Sequence, residues 1–101
     1  MTKKNQNPKL EMALKYVSNS KITDAIRVYK EILSYEPENP IANYNLGLIF
    51  LKNKKFQEAS DLFRNSLIMS THKPQAWLGL AEAYTKMGKI KEVTAVLLDC
   101  I

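Results

Sequence analysis

One cysteine, three glycines, two arginines and one histidine stand in the 101 residues of this chain, and each scarcity removes a class of protein. A lone thiol, Cys100, closes no internal disulfide, so the chain is not a small domain held by bridges and suits a reducing compartment. Its ordinary role is that of a small buried apolar residue. So few glycines, with no alternating apolar and polar runs between turn dipeptides, argue against a β-rich fold. The single histidine, His72 in "STHKP", reads as a solvated loop residue and leaves no Cys/His metal spacing. Neither a phosphate-cradling glycine loop nor a G-x-S-x-G turn occurs. No apolar run approaches the roughly 18 to 20 residues of a membrane span. The opening "MTKKNQNPK" lacks the apolar stretch of a secretory signal, so a cytoplasmic location away from membranes is expected.

What is present is the composition of a soluble globular domain, 46% hydrophobic and 25% charged. Sliding the chain against itself by 34 residues aligns position after position. Ala13, Gly47 and Ala81 are small, whereas Tyr16, Phe50 and Tyr84 are aromatic. Ala25, Ala59 and Val93 are small or β-branched, and Tyr29, Phe63 and Leu97 are large. Met12, Leu46 and Leu80 match, as do Ile22, Phe56 and Ile90, and Leu33, Leu67 and Ile101. Within each unit the apolar positions recur at three- and four-residue steps, the pattern of two amphipathic helices. The small residues let one helix approach its neighbour, and the aromatic one turn later fills the space beside it.

Punctuation sets the boundaries. Asn39-Pro40 is an N-cap followed by proline at the first helical position, and Pro74 recurs one period later. Asn7-Pro8 sits two residues out of register, so the first helix starts late. "NSK", "NKK" and "MGK" fall at matching places as turns inside each hairpin. These signals predict helices over 8–19, 22–35, 40–52, 56–69, 74–86 and 90–100, in units 8–39, 40–73 and 74–101 of a single domain, behind a basic flexible tail at 1–7.

The pattern resembles the tetratricopeptide repeat (TPR) family, whose signature runs W-x2-L-G-x2-Y, then A-x3-F, then P. The third unit carries Trp77, Leu80 and Tyr84, with Ala81 in the glycine place; the second carries Leu46-Gly47, Phe50, Ala59 and Phe63; the first carries Ala25, Tyr29 and Pro37. Thr71 replaces a proline, and Val93 and Leu97 replace the Ala and Phe of the third unit. Three such units in phase cover almost the whole chain. The resemblance implies an all-α fold, a right-handed α-solenoid of about three helix-turn-helix hairpins, acting as a non-catalytic protein-protein interaction module with no cofactor.

It also implies where a partner binds, because first helices line the concave side of such arrays. The inward positions would be Leu14, Tyr44, Asn45, Leu48, Lys52, Leu78, Glu82 and Lys86, joined by Leu10, Glu11, Val17 and Leu51, with Leu10, Leu51 and Leu78 equally suited to plain helix packing. In many members an asparagine at the place of Asn45 bonds the backbone of a bound peptide, and an amide that both donates and accepts suits that task. Members that clamp a C-terminal carboxylate use lysine, arginine and asparagine at places held here by Leu10, Leu14, Gln75 and Gly79, so only Asn45 matches. An apolar or amphipathic protein segment is the expected partner.

Two further surfaces call for an account. Asp24, Glu58 and Glu92 recur at the period near helix starts, where the helix dipole explains them without catalysis. Lys21, Lys55 and Lys89 are also in phase, with Lys52, Lys54, Lys86 and Lys91 nearby, and the formal charge is +5. A lysine ridge for nucleic acid or an acidic partner is therefore the competing reading, and a TPR portion of a larger enzyme is another. Against nucleic acid, arginines are few and no aromatics interleave the lysines. The last helix is apolar nearly all round: Arg27 and Asp61 become Ala95, Lys30 and Arg64 become Leu98, and Val96 adds to them. Ile90, Val93, Leu97, Leu98 and Ile101 are thus expected to form a self-association surface, in a homodimer or against a continuation of the array.

Overall fold

The computed structural model describes residues 7–69 and 74–100, in which six helices follow one another. They are α1 (Pro8–Ser18), α2 (Ile22–Tyr35), α3 (Pro40–Lys52), α4 (Phe56–Met69), α5 (Pro74–Lys86) and α6 (Ile90–Cys100), with no strand among the described residues. Residues 1–6 of the basic tail, Thr71, His72, Ile101 and the side chain of Cys100 lie outside the described residues. Helices pack as three hairpins, α1 on α2, α3 on α4 and α5 on α6, with each hairpin docked on the next, which is the all-α solenoid expected.

The first helix of each hairpin begins at a proline. Asn7 Oδ1 accepts from the Lys9 amide at 2.9 Å and Asn39 Oδ1 accepts from the Ala42 amide at 2.9 Å, each with proline at the first helical position. Asn7 is therefore the cap of α1, and the expected tail at 1–7 loses its last residue to the fold. Because Pro8 stands two residues late in register, α1 has 11 residues where α3 and α5 have 13. The loop between the first two hairpins is braced by asparagine. Asn39 Nδ2 donates to Glu36 Oε1 at 2.8 Å, and buried Asn43 donates to the carbonyls of Pro37 and Asn39. Lys9 donates to Glu31 and holds that carboxyl below its usual range, a half-exposed link between α1 and α2 that adds little stability.

The three intra-hairpin turns are copies of one motif. Ser20, Lys54 and Gly88 have φ of 61°, 63° and 75°, one repeat apart. In each turn the following amide closes on a carbonyl of the last helical turn: Lys21 to Tyr16 at 2.7 Å, Lys55 to Phe50 at 2.8 Å and Lys89 to Tyr84 at 2.9 Å. This is the Schellman cap, whose left-handed residue favours glycine. Only the third turn has one.

Packing between hairpins centres on Phe63, which is fully buried. Its ring lies against the backbones of Gly47 in α3 and Gly79 in α5; a Cβ added to Gly79 would stand 2.6 Å from Phe63 Cζ, and one added to Gly47 would stand 2.9 Å from Cε1. Ser66 fastens the same hairpin by donating to the Pro40 carbonyl at 3.0 Å.

Two outcomes follow from these contacts. Lys54→Gly removes the strain of a Cβ at positive φ and should stabilise the fold by about 0.5–1 kcal/mol in urea titration, with Gly88→Ala moving the other way. Gly79→Ala should cost about 1–3 kcal/mol although alanine is the better helix former, because the methyl meets the Phe63 ring. Phe63→Leu in that background should recover part of the loss in a double-mutant cycle; a neutral Gly79→Ala would refute the account.

Candidate protein-binding groove

The groove arises from a difference between the two hairpin junctions. One repeat apart, Tyr29 takes the place of Phe63 and Asn45 the place of Gly79. Where the second junction closes a ring onto bare glycine, the first must house an extra hydroxyl and an amide side chain. Accordingly α3 packs directly on α5, whereas α1 makes no comparable contact with α3. Between α1 and α3 a cavity of about 510 Å³ opens, lined by Leu14, Val17, Asn45, Leu48, Leu51 and Lys52, with Ile22, Tyr29, Ile49, Asn53 and Glu82 completing it. A second cavity of about 250 Å³ shares Leu14 and Asn45 and continues along α1 past Leu10, Glu11 and Ile41 towards the N-cap Asn7. The result is one cleft along α1 and α3, with the Glu11 carboxylate towards one end and the Lys52 ammonium towards the other.

The structure brings Leu14, Asn45, Leu48, Lys52 and Glu82 together in this cleft, and separates three other expected residues from it. Tyr44 packs inward: its ring centroid lies 5.9 Å from that of Phe63, tilted by 54°, and it joins the core of the second and third hairpins. Leu78 and Lys86 are exposed on α5 but line neither cavity. Leu14 and Leu48 are exposed leucines, a costly arrangement in water unless something covers them.

Tyr29 is the site residue that the repeat pattern conceals. Its side chain is fully buried, yet the hydroxyl meets no hydrogen-bond partner among the described residues. Burial raises its pKa, and the neighbouring Asn45 side chain opposes that shift without completing a hydrogen bond to it. Unpaired buried hydroxyls are uncommon because each forgoes its bond to water. The signal was present in the chain, but only in the pairing of Tyr29 with Asn45 where the next unit pairs Phe63 with Gly79.

A further cavity of about 520 Å³ lies between α4 and α6 over α5, lined by Arg64, Ile68, Trp77, Tyr84, Glu92 and Ala95 among others. Arg64 is engaged there, donating to the Tyr84 hydroxyl at 2.8 Å and pairing with Asp61 at 2.7 Å. The lysines Lys21, Lys52, Lys54, Lys55, Lys86 and Lys91 are exposed at or near the turn edge, while the Lys89 ammonium lies 5.9 Å over the buried Tyr84 ring. On α6, Ile90 and Leu98 are each 67% exposed and Leu97 is 46% exposed, whereas Val96 is buried and Val93 is half-buried against the core. No cluster of three or more His, Cys, Asp or Glu suited to a metal occurs among the described residues, and none of their helices is long and apolar enough to cross a membrane.

Stacked hairpins with small residues under aromatics, a repeated glycine-type turn and a cleft between first helices define a tetratricopeptide-type repeat protein. The comparison with family profiles narrows the class: that of the anaphase-promoting complex, cyclosome, subunit 3 matches residues 18–100, and the chain belongs to this TPR-type family. No curated protein matches the sequence. Repeat families of this type are generally protein-interaction scaffolds and not enzymes.

Proposed function

We propose that the chain is a non-catalytic interaction module that takes an apolar or amphipathic protein segment in the cleft between α1 and α3 and self-associates through α6. The observation that carries the first part is the cleft itself: apolar walls with exposed Leu14 and Leu48, an amide at Asn45, and opposite charges at Glu11 and Lys52. The family takes its name from a subunit of a multi-protein complex, which accords with a scaffold role. The lysine edge supports nucleic-acid binding less well, because the chain has only two arginines and the aromatic ring beside Lys89 is buried. Peptides selected from a displayed random library on the wild-type protein should bind with micromolar affinity by fluorescence anisotropy. Leu48→Asp should abolish that binding while leaving the helical circular dichroism unchanged. Binding that survives this substitution places the partner elsewhere.

Self-association rests on the repeat register. Tyr29 and Phe63 are fully buried by the hairpin that follows each, and Leu97, at the same position of the last unit, is 46% exposed beside Ile90 and Leu98. Two copies meeting about a two-fold axis would cover this face. Sedimentation should therefore find a dimer at tens of micromolar, converted to monomer by Leu97→Glu with Leu98→Glu. A wild-type monomer at that concentration overturns the dimer.

A further inference from the structure

We infer that the floor of the α1–α3 cleft is a specificity pocket for a neutral carboxamide side chain, glutamine or asparagine, carried by the partner segment. The inference rests on the peptide-groove reading above and adds which residue the peptide must present.

The argument starts from the substitution that opens the cleft. At the second junction Phe63 has no polar atom, and Gly79 leaves no room for one. At the first junction Tyr29 adds a buried hydroxyl with no hydrogen-bond partner, and Asn45 adds a half-buried amide beside it, both lining the same cavity. An apolar cleft needs neither group. Phenylalanine and glycine stand at these positions one repeat later, so this chain places hydrogen-bonding capacity where the second junction has none.

The chemistry of the two groups selects the occupant. Burial keeps the Tyr29 phenol protonated, so its O–H is a donor seeking an oxygen acceptor. The Asn45 amide donates and accepts, and pairs with another amide by exchanging two hydrogen bonds. A carboxamide side chain supplies both patterns at once. A carboxylate is disfavoured, because the two charged residues lining this cavity, Lys52 and Glu82, are both exposed and of opposite sign, which leaves no close cation to pair with a buried anion. Buried charge without a close partner is strongly unfavourable. The flanking walls, Leu14 and Leu48, take apolar side chains on either side of the amide.

Tyr29→Phe tests this, since it keeps the ring that fills the core and removes only the hydroxyl. Peptides enriched from a random library on the wild-type protein are sequenced, synthesised and titrated by fluorescence anisotropy against wild type, Tyr29→Phe and Leu48→Asp. The expected result is a glutamine or asparagine at one fixed position between apolar residues. Affinity should fall roughly tenfold both on Tyr29→Phe and on replacing that peptide residue by leucine, the two losses being non-additive. The unliganded Tyr29→Phe protein should be at least as stable as wild type in urea, because it loses an unpaired group. Peptides that need Leu48 but show no carboxamide preference, or that carry aspartate or glutamate at that position, overturn the pocket and leave the groove standing. Peptides indifferent to Leu48→Asp, or no enrichment at all, overturn both.

Discussion

The stack depends on one contact, the Phe63 ring packed against the backbones of Gly47 and Gly79. A helix carrying side chains at its contact face stands off its neighbour by the depth of those side chains, whereas a glycine lets the ring reach the backbone. That contact brings α3, α4 and α5 into one tightly packed body, and the remaining architecture is read relative to it. The first junction repeats the arrangement with three changes, Tyr29 for Phe63, Asn45 for Gly79 and Ala13 for Gly47, and the cleft accompanies those changes. Core packing and binding surface are here two settings of the same three positions.

Much of this was legible in the chain. The 34-residue register located all three hairpins, and the asparagine-proline pairs and turn tripeptides set the helix limits, with the end of α1 differing from the expected 8–19 by one residue. Legibility was high because each element is specified locally, by a cap, a turn residue and an apolar stripe, and the three copies reinforce one another. The cleft was legible in part. Leu14, Asn45, Leu48, Lys52 and Glu82 line it from the first helices of the three hairpins, where the helical period placed them. Tyr44 went the other way, since its ring finds Phe63 across its own hairpin, a contact decided by the shape of the core and not by helical period. Tyr29 was hidden for a different reason: a large aromatic at that register reads as core, which it is, and the fate of its hydroxyl depends on a neighbour sixteen residues away in sequence.

The outer helix illustrates how far a periodic comparison reaches. Charged residues at two positions of α2 and α4 give way to Ala95 and Leu98 in α6, and the structure leaves Leu98 largely exposed. A surface helix ordinarily alternates a buried stripe with a charged one. In α6 the buried stripe is present, with Val96 and Val93 against the core, but the outward side carries Ile90, Leu97 and Leu98 beside Lys91, Glu92 and Thr94. Residue type therefore diverges from residue environment along this helix, whereas on α2 and α4 the divergence is confined to single residues near the helix end, Tyr35 and Ile68.

The braced loop between the first and second hairpins bears on how the cleft behaves mechanically. Asn39 and Asn43 tie residues 36–43 into a stiff corner, and the buried residues of α1 and α2 share one core with Ala42, Leu46 and Ile49 of α3. Both walls of the cleft are therefore anchored in packed structure on their inner sides. An occupant of such a preorganised mouth has little ordering of the protein to offset, and its shape must suit a width already set.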